Sequence, residues 1–214
     1  ACYTYAGEVF RRQEHDPARA NEYFQAGFEL FDRDDPEGAD ARVFALFHTI
    51  LAPLGLRAAT GDIGLLIAAV EGLETSAARK AALRRHIWRP KRFRALLERF
   101  AGRTPVPERR AALLKQADPM AQASPIIGLR NEAEIARRIE TLREDAATPP
   151  IAESQVALID ALLAVRETAP FALERLRDIS VDLPAIAPAV ERLATRLGAL
   201  AARGIDVDAL EFEA

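Results

Sequence analysis

The segment Tyr23-Phe24-Gln25-Ala26-Gly27-Phe28-Glu29-Leu30 alternates residue types in a way that could build a small-molecule pocket. Residues two apart on a strand share a face, so Tyr23, Gln25, Gly27 and Glu29 point one way and Phe24, Ala26, Phe28 and Leu30 the other. The second set is expected to be core. On the first, Glu29 could hold an ammonium group, and Gln25 could both donate and accept. Gly27 between them leaves a gap about one side chain deep, where a ligand could rest against the backbone. Arg11, in the preceding strand, stands opposite in parity to the core candidate Phe10. Its planar fork suits a carboxylate or phosphate. The same alternation is also what the wet face of an antiparallel sheet displays with no ligand at all.

Two strands must hold these groups. Tyr3 to Arg12 and Glu22 to Phe31 are rich in aromatic and β-branched residues, and the polar stretch 13–21 between them reads as a long hairpin loop. After the turn 33–38, apolar Val43, Phe44, Phe47, Ile50 and Leu51 mark an amphipathic helix stopped by Pro53 and Gly55. A short strand over Leu56 to Asp62 and a helix from Gly64 follow. From Glu74 the spacing predicts successive helices at 76–88, 90–100, 107–116, 132–144, 152–167, 171–178 and 185–203, broken mainly at prolines and at Gly204. Residues 205–212 return to a strand pattern. No fixed-period repeat is present.

Composition narrows the class of protein. Half of the 214 residues are apolar and the net charge is −3, which excludes a disordered chain. A single cysteine, Cys2, cannot form an internal disulfide, so a reducing, cytoplasmic setting is expected. Apolar runs such as 64–70 are too short to span a bilayer. Alanine makes up about a fifth of the chain and arginine supplies all but three of its 29 basic residues, both favouring helix. Charge divides near residue 71. Up to there twelve acidic residues face six arginines, whereas the remainder is net basic. The first residue is not methionine, and a strand-like sequence starts at once, so we read the chain as an excerpt of a longer one.

Other candidate chemistry is sparse. Between Arg84 and Arg103 lie eight basic residues with Trp88, Phe93 and Phe100 interleaved. This pattern could form a surface for nucleic acid or an acidic partner, but such a run is more often a solvated helix face with aromatic core anchors, and that reading is preferred. His15, His48 and His86 are too scattered for a zinc motif, so no metal is assigned. No phosphate-binding glycine loop or nucleophile elbow occurs, and no cofactor or catalytic residue is assigned.

The stretch Gly7-Glu8-Val9-Phe10-Arg11-Arg12-Gln13-Glu14, with Arg19 and Tyr23 to Leu30, resembles motif 2 of class II aminoacyl-tRNA synthetases in the form found in histidyl-tRNA synthetase. Residues 38–46 and 51–56 are similar to that family's next helix and its exit. In the synthetases, the arginine matching Arg11 contacts the ATP α-phosphate and the histidine carboxylate, and the residues matching Gln25 and Glu29 hold the histidine. The resemblance thus implies a histidine pocket from Arg11, Gln25 and Glu29, with Gly27 and Arg19 as accessory residues.

Departures from the motif sharpen the functional reading. Gln13 stands where the synthetases have glutamate, and Glu14 and Asn21 replace two of three loop arginines. With Asp16 added, the loop becomes slightly acidic and should repel a triphosphate and a tRNA end. The combination resembles the ATP phosphoribosyltransferase regulatory subunits, a synthetase-like family without the synthetase reaction. That resemblance implies self-association as a synthetase-like dimer and assembly with a short catalytic phosphoribosyltransferase subunit into a hetero-octamer. It also implies activation of that subunit, feedback inhibition by histidine as effector, and no membrane or nucleic-acid partner. Active histidyl-tRNA synthetase and a synthetase-derived scaffold with a dead pocket stand as alternatives. The expected fold is α+β, part of a class II synthetase-like antiparallel sheet domain carrying a large all-helical insertion. Its boundaries fall at 1–71 for the sheet domain, 72–204 for the insertion and 205–214 for the returning strand.

Overall fold

A computed structural model describes residues 1–12, 18–121 and 128–213. The described residues form five strands and nine α-helices in an α+β arrangement, and contacts group them into two compact units.

The first unit comprises residues 1–61, 166–175 and 190–213. Its strands β1 (Cys2–Phe10) and β2 (Glu22–Leu30) pair antiparallel from Cys2 opposite Leu30 to Phe10 opposite Glu22. The ladder runs on through the Arg11 amide, which donates to the Asn21 carbonyl at 2.7 Å. Helix α1 (Pro36–Leu51) starts where Asp35 accepts from the Gly38 amide at 2.9 Å, with Pro36 fixing the first turn. It passes into a 3-10 turn over Ala52–Leu54 and ends at Gly55, whose φ of 60° is left-handed.

A second small sheet completes this unit. Strand β5 (Glu211–Glu213) lies between β3 (Ala59–Thr60), to which it is parallel, and β4 (Arg166–Thr168), to which it is antiparallel. Phe212 at its centre is 1% exposed. The β3–β5 pair is parallel, whereas the β1–β2 and β4–β5 pairs are antiparallel, as expected of the sheet domain. Strand β4 corrects the expectation that the helix begun near residue 152 runs to 167, and it lies within 72–204, the stretch expected as a helical insertion. The returning strand is shorter than expected because Asp206 accepts from the amides of Asp208 and Ala209 at 3.1 and 3.3 Å, a turn that delays it.

The second unit comprises residues 62–165 and 176–189. It holds α2 (Ile63–Gly72), α3 (Ala77–Arg85), α4 (Pro90–Phe100), α5 (Glu108–Lys115), α6 (Glu132–Ala147) and α7 (Glu153–Leu163). Helices α8 (Ala169–Asp182) and α9 (Ala187–Ala201) each contribute residues to both units. Side-chain caps set several starts: Asp62 on α2, Ser76 on α3, and the reciprocal Asn131 and Glu134 pair on α6. Leu65, Leu83, Phe93, Leu97, Val156, Ile159 and Leu162 are buried. Trp88, expected as an anchor beside Phe93 and Phe100, is instead 74% exposed, because α3 ends before it and α4 begins after it.

Candidate functional site

The pairing register decides what the hairpin can do. Tyr3 lies opposite Glu29, Tyr5 opposite Gly27, Gly7 opposite Gln25 and Val9 opposite Tyr23, so these eight residues share one face. Arg11 follows the same parity opposite Asn21. The hairpin therefore brings Arg11, Gln25, Gly27 and Glu29 to a single face, in a row rather than a ring. At about 3.3 Å per strand residue, Gln25 lies roughly 13 Å along the strand from Glu29. A ligand touching both must lie along β2.

Gly27 does not leave the open gap expected from its lack of a side chain. The Tyr5 ring lies across it, and a Cβ there would sit 2.3 Å from Tyr5 Cζ. Gln25 Nε2 donates to Tyr5 Oη at 2.9 Å, so the phenol both covers the glycine and orients the amide. Tyr5 is a residue of this face that parity on β2 alone misses. Its signal is the cross-strand pairing of an aromatic residue with a glycine, which the register creates. At the far end Tyr3 meets the Phe31 ring edge-on at 5.8 Å beside exposed Glu29. Arg19 is exposed at the loop's end. Gln13, Glu14 and Asp16, on which the loop's charge partly rests, lie outside the described residues.

The opposite face of the hairpin is not core. Phe10 and Phe24 are 70% and 71% exposed, which corrects that expectation. Helix α1 forms with the expected apolar stripe, and that stripe is partly exposed. Phe47 and Leu51, with Val43 and Phe44, line an open cavity of about 580 Å3 with residues 56–61 and the α9 residues Arg196 and Leu200. Arg196 Nη1 reaches Asp40 at 3.4 Å on its wall.

Half of the basic run is tied into ion pairs. Arg84 pairs with Glu71 at 3.1 Å, Arg94 with Asp160, Arg103 with Glu98 and Glu153, and Arg99 with Asp145 at 3.5 Å. His86 is held below its ordinary pKa, first by desolvation and then by Arg92, Arg89 and Arg85. Among the described residues, no three His, Cys, Asp or Glu side chains gather as metal ligands, and no helix is long and apolar enough to cross a membrane.

A motif 2-like hairpin in an α+β chain is the arrangement of class II synthetase relatives, and the comparison with known families agrees. The histidyl-tRNA synthetase family profile matches residues 2–212, and the chain belongs to that family. Within curated proteins it is similar to the ATP phosphoribosyltransferase regulatory subunit of Agrobacterium fabrum, at 28% identity over 232 aligned positions. That match covers 99% of this chain and 60% of the relative, so the chain spans under two thirds of the relative's length. No solved structure gives a significant match.

Proposed function

We propose that the protein serves as a non-catalytic regulatory subunit of ATP phosphoribosyltransferase in histidine biosynthesis, activating a short catalytic subunit and helping confer feedback inhibition by histidine. The observation that carries this reading is the shared hairpin face of Arg11, Gln25 and Glu29, in a chain similar to a protein of that name. On this reading Gln25 holds polar atoms of the histidine and Glu29, further along the row, its imidazole, with Arg11 lying toward the carboxylate end and Tyr5 fixing the Gln25 rotamer. Gly27 and Arg19 are accessory, the former by admitting Tyr5. Histidine would act by binding one state of a cytoplasmic, synthetase-like dimer more tightly within the complex.

Histidine titration of the intact complex tests this. Glu29→Ala is expected to weaken binding and inhibition about tenfold or more; unchanged binding and inhibition would refute the pocket. The second reading, an active histidyl-tRNA synthetase, is favoured by the family profile itself. Charging of tRNA with histidine by the full-length protein would establish it in place of the first.

A further inference from the structure

In the helical unit, three guanidinium groups converge on one carboxylate. Arg79, whose side chain is 9% exposed, donates through Nε to Asp145 Oδ1 at 2.7 Å. Its Nη1 and Nη2 close the end of α6 by donating to the carbonyls of Pro149 at 2.8 Å, Asp145 at 2.7 Å and Thr148 at 3.1 Å. Four of the five Arg79 N–H donors are thereby used, and one of them occupies one carboxylate oxygen. The other oxygen, Oδ2, receives both Arg110 at 3.0 Å and Arg99 at 3.5 Å.

Two arginines thus share a single acceptor atom, each through one Nη2, although each fork carries several donors. Three positive charges against one negative leave the cluster with an excess of about two. Such clustering is unfavourable without an anion. The Arg99 guanidinium is depressed from its ordinary pKa, first by desolvation, against Asp145, with Arg110, Arg79 and Arg92 adding to the depression. Stacking over the Phe100 ring, 4.6 Å from its centroid, fixes the Arg99 plane.

These groups open on a cavity of about 360 Å3, walled by Thr104, Pro105, Val106 and Pro107. That volume lies in the range of small-molecule pockets. We propose that this cavity is an anion site for the phosphate group of a small molecule, held by Arg99 and Arg110, with the apolar wall receiving the body of the ligand. A phosphate dianion matches the excess charge and offers enough oxygens for both forks at once.

Calorimetric titration of the full-length protein with inorganic pyrophosphate, repeated with acetate, tests the site. Saturable pyrophosphate binding is expected, with acetate much weaker. Arg99→Gln, at a half-exposed position, should weaken it about tenfold, and Arg99→Gln with Arg110→Gln should abolish it. Asp145→Asn should instead tighten binding severalfold, because it removes the competing carboxylate. Arg89→Gln, in the same basic run but outside the cavity, should change nothing. Absence of saturable binding, equal affinity for acetate, or equal loss in Arg89→Gln would each overturn the assignment. Melting curves of the Arg99→Gln protein keep loss of fold apart from loss of site.

Discussion

Gln25 and Tyr5 are joined across the hairpin by a hydrogen bond of 2.9 Å, and the Tyr5 ring closes over the Cα of Gly27. Glycine at 27 therefore admits the tyrosine, which in turn orients the glutamine. A side chain at 27 and the ring of Tyr5 cannot occupy the same space.

It follows that Gly27→Ala should cost under about 1 kcal/mol, because the atoms it displaces are the far end of the half-exposed Tyr5 ring, and Tyr5→Phe, which keeps the ring and loses the hydroxyl, should cost about 0.5–1.5 kcal/mol. In Tyr5→Ala the Gly27→Ala change should become nearly neutral. Urea denaturation of the four full-length proteins measures the coupling, and additive costs would mean that the two residues do not meet.

Arg79, buried in the helical unit, bonds to Asp145, Thr148 and Pro149. Arg79→Leu should destabilise by about 3–5 kcal/mol, since it leaves Asp145 Oδ1 and three carbonyls without their donor. Arg79→Lys should recover only part of this, because an ammonium cannot serve four acceptors in one plane. Denaturant midpoints check both; full recovery by lysine would show that charge alone matters.

His86 supplies a pH dependence. Its Nδ1 is buried and has no hydrogen-bond partner among the described residues, and its folded pKa lies below the ordinary 6.5. A depressed histidine means that the unfolded chain binds the proton more readily. Its contribution is therefore intact above pH 6.5 and is lost as pH falls from there through the folded pKa. Stability of the natural protein between pH 7 and 5 should fall more steeply than that of His86→Gln, and parallel slopes would exclude this role.

Phe212, 1% exposed on the central strand β5, anchors the three-stranded sheet of the first unit. Phe212→Ala should cost about 3–5 kcal/mol by leaving a cavity at that position. Thermal unfolding of the full-length protein is the measurement, and a loss under 1 kcal/mol would mean that the site collapses to fill the space.

Much of this architecture is legible in the sequence because local chemistry decides it. Asp35, Asp62, Ser76 and Asn131 announce helix starts, and prolines close the helical stretches, so α1 to α6 fall near their expected positions. Arg166 and Glu167 favour helix by propensity and become strand through pairing with Glu213 and Phe212, a partner no local window contains. Parity places Gln25 and Glu29 on one face, but Tyr5 reaches Gly27 through a register set by the whole hairpin. The role of Asp145 is equally hidden, since its arginines lie 35 to 66 residues away in sequence.

The order β3-β5-β4 also dictates when this sheet can exist during synthesis. Its middle strand, 211–213, is made last, about 150 residues after the 59–60 strand it accompanies. The hairpin, and the helices that close locally, can form as they leave the ribosome. Among the described residues, strands β3 and β4 pair only with β5 and so wait for Phe212 to be made. A nascent chain stalled before that point therefore carries two open strand edges, and those edges are where premature association with other chains would begin.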